Sequence, residues 1–106
     1  MQQDRILSTI SLATKAGKTV SGEFSVEKAV KEGKAKLVVV AAEASDNTKK
    51  MFENMTEFYE VPMYVYSDKN ALGHYIGKEF RASLAVVNEG LARSIEDKLK
   101  QVITTE

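Results

Sequence analysis

The segment Ser21-Gly-Glu-Phe-Ser-Val-Glu-Lys-Ala-Val30 holds the residues with most chemistry to offer. A glycine that opens a helix lets a phosphate backbone approach the helix's free amide groups, and a lysine one turn further in reaches the phosphate oxygens. Gly22 and Lys28 stand in that relation, with Glu23, Phe24 and Ser25 in the turn between them. A glycine at a helix start is also an ordinary cap, so the local pattern is shared by plain structure and by a phosphate site. Other motifs fail on inspection. Gly17-Lys18-Thr19 matches the tail of a phosphate-binding loop, but the first glycine of that pattern falls on Leu12 and a helix, not a strand, leads in. Ser25-Val-Glu-Lys28 and Ser45-Asp-Asn47 each match one element of serine β-lactamase-type signatures, whose Lys-Thr-Gly element is missing. Asn54-Met-Thr56 fits a glycosylation acceptor with no secretion signal beside it. His74 is the single histidine and there is no cysteine, so neither a metal cluster nor a nucleophile pair assembles around it. It reads as a helix-surface residue. Acidic residues are scattered over helix faces, and no acid–base pair follows from their spacing. These observations predict no catalytic residue, no metal and no cofactor.

The elements that must position the segment are legible in the apolar spacing. Ile6, Leu7, Ile10 and Ala13 recur at helical spacing after Asp4, and Gly17 supplies a left-handed stop. Thr19-Val-Ser21 has the length of an edge strand, and the helix opened by Gly22 buries Val26, Ala29 and Val30 before Gly33 ends it. Lys36 to Ala42 is a continuous β-branched run, the pattern of a central strand covered on both faces. Ser45 or Asp46 caps a third helix whose Met51, Phe52, Met55, Phe58 and Tyr59 form a broad stripe predicted to lie in the core. Pro62 to Tyr66 reads as a strand with Val61, Met63 and Val65 on one side, and Ser67 or Asp68 caps a short helix that stops at Gly77. Leu84 to Val87 is a further strand. Asn88 then caps a helix with Leu91, Ile95, Leu99 and Val102 on its inner side. Strands alternating with helices predict an α/β protein: a three-layer α-β-α sandwich around a small mixed sheet of about four strands.

Composition bounds the function. A chain of 106 residues, 43% apolar and 28% charged, suits one globular domain spanning 1–106. The absence of cysteine, of a basic-then-apolar leader and of any long apolar run points to the cytoplasm and away from a membrane. Fifteen basic and fifteen acidic residues cancel, so the strongly basic balance of many nucleic-acid binders is missing. The charge is nonetheless polarised: residues 15 to 36 carry six lysines against three glutamates, and residues 43 to 60 carry two lysines against five acids. A solvated helix with Glu27 and Lys31 paired at i, i+4 explains part of the first group equally well.

The stretch from Gly22 to Ala41, together with Leu72-Gly73, Gly77 and Ala82-Ser-Leu-Ala-Val-Val-Asn-Glu-Gly90, resembles the L-seven-Ae family of kink-turn-binding ribosomal proteins. Ala13-Thr-Lys-Ala-Gly-Lys18 and Ala44-Ser-Asp-Asn-Thr-Lys-Lys50 are most similar to its bacterial YlxQ-like branch. The resemblance implies the α-β-α sandwich, and binding of structured RNA of the ribosome or of another ribonucleoprotein. Members of that family grip RNA with a helix start reading Gly-x-Asn-Glu-x-x-Lys and with a loop before the final strand. Carried over by position, Gly22 and Lys28 match and the loop falls at Lys78-Glu-Phe80-Arg81, whereas Phe24 and Ser25 replace the Asn and Glu that meet guanine edges. The implied RNA surface comprises Lys15, Lys18, Gly22, Glu23, Phe24, Ser25, Lys28, Lys78, Phe80 and Arg81, with Lys15, Lys18, Lys28 and Arg81 supplying charge. A protein-interaction module that keeps the scaffold but has little RNA affinity is the alternative. A small enzyme is disfavoured because no nucleophile, metal cluster or acid–base pair assembles.

Overall fold

The computed structural model describes residues 4–104. The elements follow in the order α1 (Arg5–Lys15), β1 (Thr19–Ser21), α2 (Glu23–Lys31), β2 (Leu37–Val40), α3 (Asp46–Phe58), β3 (Met63–Val65), α4 (Lys69–Tyr75), β4 (Ser83–Val86) and α5 (Glu89–Thr104). The sheet runs β1-β4-β2-β3. β4 lies antiparallel to both β1 and β2, while β3 is parallel to β2, so the sheet is mixed as predicted. The two central strands are buried at every position, which is what continuous apolar sequence allows and alternating sequence does not.

Alternation along those strands divides the interior in two. Leu37, Val39, Leu84 and Val86 meet α1, α4 and α5 through Ile6, Ile10, Leu72, Ile95 and Leu99. Val38, Val40 and Ala85 meet α2 and α3 through Val26, Val30 and Phe52. Each fully buried aliphatic side chain contributes roughly 1.5–3 kcal/mol, so the paired cores dominate the stability of the sandwich. Four helix starts are capped by side chains, three at predicted positions, where Ser45 accepts from the Thr48 amide, Asp68 from Ala71 and Asn88 from Leu91, and the fourth by Asp4, which accepts from Leu7. Gly17, at φ 73, stops α1, and the Lys18 amide beyond it returns to the Ala13 carbonyl. Gly17-Lys18-Thr19 is thus a helix end leading into β1, the reverse of the strand-to-helix order of a phosphate loop.

The outer ends of two predicted stripes do not reach the core. Phe58 is 78% exposed and Tyr59 41%, and the inward position of their turn belongs to Thr56, whose hydroxyl donates to the Phe52 carbonyl at 2.7 Å. α3 packs on α2 and on the three-residue edge strand β3, so its inner face is narrow and its last turn overhangs the sheet. Val102 is 45% exposed for a related reason, lying one turn past Leu99, a fully buried position of α5.

Two contacts set the position of the loop between α4 and β4. A Cβ on Gly73 would sit 2.4 Å from Phe80 Cα and 2.7 Å from its nitrogen, so only glycine lets the loop cross the helix this closely. The Lys78 amide donates to the Gly73 carbonyl at 2.8 Å and the Arg81 amide to the Lys69 carbonyl at 3.0 Å, closing the loop over α4. On the first face of the sheet, Tyr66 donates its hydroxyl to Asp4 at 2.8 Å, and Tyr64 donates to Glu96 at 2.9 Å.

Gly73→Ala is expected to destabilise the protein. Helix propensity alone favours alanine by up to about 1 kcal/mol. The clash is with backbone that cannot rotate away, and overpacking of this kind costs about 1–3 kcal/mol. Urea unfolding of the variant measures the balance, and unchanged or increased stability would show that the loop yields. The two tyrosines generate a pH prediction. Burial first, then hydrogen bonding to carboxylates, pushes both hydroxyls up to about 12. The folded state therefore holds protons that the unfolded chain releases near the ordinary tyrosine value, about 10. Their stabilisation is complete below that value and is lost as pH rises toward about 12. Tyr64→Phe with Tyr66→Phe should flatten the decline of unfolding free energy across that window, and an unchanged decline would assign alkaline instability to other groups.

Candidate nucleic-acid interface

The turn from β1 into α2 is built around Gly22. Its φ of 93° and ψ of 151° lie in a region essentially closed to residues with a Cβ. An added Cβ would meet no atom within 4 Å, so the requirement is backbone conformation and not internal space. The Gly22 amide donates to the Ser83 carbonyl at 3.0 Å, and its own carbonyl accepts from Val26 at 2.9 Å. The Gly22 N–H is therefore the last rung of the β1–β4 ladder, and the open amides lie further into the helix. The groups without an intrahelical acceptor are those of Glu23, Phe24 and Ser25, the first turn of α2. No side chain caps them, in contrast to the other four helices. A helix start in this condition carries partial positive charge directed outward.

Arg81 is drawn to the same place from sixty residues away. Its Nε donates to Ser21 Oγ at 3.1 Å and its Nη1 to the Phe80 carbonyl at 2.8 Å. The guanidinium is thus fixed beside the last residue of β1, next to Gly22, with Nη2 used by neither bond. Ser21, which fixes it, and Gly73, which seats its loop, are the two residues that sequence reading passed over as site-forming. Gly73 left a signal, because a glycine inside a helix costs stability and asks for a packing reason. Ser21 left none, since its role depends on strand order.

The remaining residues divide into two groups. Glu23, Phe24 and Lys28 are exposed on α2, Phe24 and Lys28 being four apart on one stripe, and Ser25 is partly buried beside them. Phe24 is 77% exposed and Phe80 55%, so neither ring belongs to the core. Lys78 is exposed in the loop that carries Phe80. Lys15 and Lys18 are also exposed, but at the opposite end of β1. The Lys18 carbonyl accepts from Val87, four residues along the partner strand from Ser83, a separation of roughly 13 Å. Arg81 is therefore brought beside Gly22 through Ser21, with Phe24 and Ser25 following Gly22 and Phe80 preceding Arg81 along the chain, while Lys15 and Lys18 lie along the same edge at a distance. Part of the basic surplus is neutralised locally. Lys31 pairs with Glu27 at 2.7 Å, which raises its pKa through the hydrogen bond and then the carboxylate charge, and Lys34 pairs with Glu32 at 3.4 Å. Among the described residues Lys15, Lys18, Lys28, Lys78 and Arg81 form no ion pair.

Among the described residues no group of three or more His, Cys, Asp or Glu side chains is arranged to hold a metal ion. Among the same residues no helix is long and apolar enough to cross a membrane. A cleft of about 640 Å³ opens between the start of α1 and the end of α5, bordered by Asp4, Tyr66, Ser94, Asp97 and Lys98. It shares no residue with the surface around Gly22, and both Asp4 oxygens are already committed, to Leu7 and to Tyr66. His74 is exposed on α4, its ring edge-on to Tyr75 at 5.6 Å.

Comparison with known proteins gives concordant matches. The chain is 38% identical over 86 residues to the RNA-binding protein YlxQ of Bacillus subtilis, covering 81% of this chain and 86% of that one. It is 36% identical over 90 residues to the large ribosomal subunit protein eL30 of Candida albicans, covering 83% and 85% respectively. A solved structure of a Bacillus halodurans protein of unknown function superposes with a TM-score of 0.87 at 32% identity, covering 90% of this chain and 96% of the other. The model of the ribosomal protein L7Ae/L30e/S12e/Gadd45 family matches residues 4–96. With that match spanning both strand edges, the uncapped start of α2 and the loop before β4, the chain belongs to the ribosomal protein L7Ae/L30e/S12e/Gadd45 family.

Proposed function

We propose that this protein binds structured RNA without catalysing a reaction, through the surface formed by the first turn of α2 and the 78–81 loop. It acts in the cytoplasm as a single domain, with RNA of the ribosome or of another ribonucleoprotein as its partner. The observation that carries the reading is the bond from Arg81 Nε to Ser21 Oγ, which sets a guanidinium beside three unaccepted amides. Amides at a helix start and an arginine fork both suit phosphate oxygens. Lys28 adds a mobile point charge one turn in, and the exposed rings of Phe24 and Phe80 offer faces on which unpaired bases stack. The names of the YlxQ and eL30 relatives support the same class of ligand. Lys15 and Lys18 serve as a second phosphate contact farther along the β1 edge. Crosslinking the protein to RNA in cells and sequencing the fragments tests the proposal, and recovery of no RNA above background overturns it.

Two variants test the assigned roles. Lys28→Ala should weaken all bound RNAs alike and make the slope of log affinity against log salt shallower by about 0.7–0.9, the loss of one phosphate contact. Selective loss for one RNA with an unchanged slope would mean that Lys28 reads a base. Phe24→Asn combined with Ser25→Glu restores groups able to meet guanine edges, where a phenyl ring only stacks and a serine hydroxyl reaches less far. The double variant should favour a kink-turn over one with disrupted G·A pairs by roughly 1–3 kcal/mol more than the parent does. Phe24 lies outside the core and Ser25 is only partly buried, so the variant should fold, which thermal unfolding checks. A folded variant that discriminates no better than its parent shows that these positions do not limit specificity.

A further inference from the structure

The sheet has a second edge. β3 is the outermost strand on the side away from β1, separated from it by β4 and β2. The Pro62 carbonyl accepts from Val38 and the Tyr66 amide donates to Val40, both at 2.9 Å. Alternation in a parallel ladder therefore turns the N–H and C=O groups of Met63 and Val65 outward, away from β2. Along this edge runs a groove of about 400 Å³, walled by Glu53 and Glu57 of α3 and floored by Val61, Met63 and Val65. Val65 is 45% exposed. Of the devices that ordinarily protect an edge strand, β3 has its three-residue length and Pro62 before it, but Val61-Pro-Met-Tyr-Val-Tyr66 carries no charge.

The charge lies on the rim instead. Glu53, Glu57 and Glu60 form no ion pair among the described residues. Glu60 holds φ at 58°, past the end of α3, where its amide returns to Glu57 and that of Val61 to Thr56. Glycine is the residue that takes this position without strain. Here the chain keeps a carboxylate next in sequence to Val61, which lines the groove, at a conformational cost.

We infer that the β3 edge docks an extended segment of a partner protein bearing Lys or Arg beside β-branched residues, by strand addition. The outward backbone groups supply the ladder, the apolar floor takes alternate side chains, and the glutamates select positive charge. The acidic rim disfavours RNA at this edge. A second copy is disfavoured as well, because pairing two β3 edges sets the same glutamates against each other. The inference is independent of the RNA reading, and the two edges lie far enough apart for both ligands to bind at once.

A displayed library of random peptides, selected on the purified protein and followed by amide NMR of a selected peptide, tests it. Selected sequences should alternate β-branched residues with Lys or Arg, and their binding should shift the Met63 and Val65 amides and protect them from hydrogen exchange. Glu53→Lys with Glu57→Lys should weaken binding by at least about tenfold, as removal of complementary charge does. Glu60→Gly should raise the melting temperature while weakening binding, an opposition that simple damage to the fold does not produce. No selected sequence, sequences without basic bias, insensitivity to the charge reversal, shifts centred on the start of α2, or dimerisation through β3 would each overturn the inference.

Discussion

The Gly22 amide donates to the Ser83 carbonyl at 3.0 Å, and the arrangement of the β1 edge depends on that rung. It fixes where β1 stops, forces the chain through a conformation that only glycine holds, and launches α2 at that point. Because β4 starts at Ser83, the same rung brings the preceding loop alongside, and Arg81 closes the junction through Ser21. Two segments sixty residues apart thereby share one small surface. The rung is protected by its setting, for β4 is buried at every position and Val26 and Val30 cover the β1–β4 corner from α2. A ligand meeting the α2 amides meets groups held by the central sheet, so little ordering entropy remains to be lost on binding.

Several elements were legible in the sequence because their signals are local. The run from Leu37 to Val40 needed no partner to declare itself doubly covered, and Ser45, Asp68 and Asn88 cap helices at the positions their side chains favour. Local signals stop where a helix leaves its support. Phe58 and Tyr59 continue the apolar spacing of α3, but periodicity reports phase and not how far the helix overhangs a short edge strand. The surface around Gly22 was half legible for the same reason. The glycine marks the start of α2, which the structure leaves without a side-chain cap, whereas the commitment of the Gly22 amide and the capture of Arg81 by Ser21 follow from β1 lying beside β4. No residue pattern near Gly22 encodes that neighbour.

Zero net charge conceals a division of labour between the sheet edges. Lysines without ion pairs lie along the β1 side, and the glutamates of α3 flank β3. At physiological ionic strength fields fade over roughly 8 Å, less than the width of a four-stranded sheet. The charge at each edge is then largely its own, and a neutral domain carries opposite potentials at its two sheet edges. A whole-chain isoelectric point averages over this geometry and reports nothing of it.

Phe24 and Phe80 bear on the kind of affinity such a surface can have. Two exposed phenyl rings beside amides and a guanidinium provide stacking and phosphate contact, both tolerant of base identity. Asparagine and glutamate at the corresponding helix start supply directional bonds to base edges, which discriminate between pairs but require them in one geometry. Exchanging such groups for a ring and a hydroxyl trades selectivity for tolerance without altering the scaffold, because neither side chain supports the core. The backbone that presents these positions is fixed by Gly22 and the sheet, so in the proposed interface the two side chains that project from it set how narrowly RNA is read.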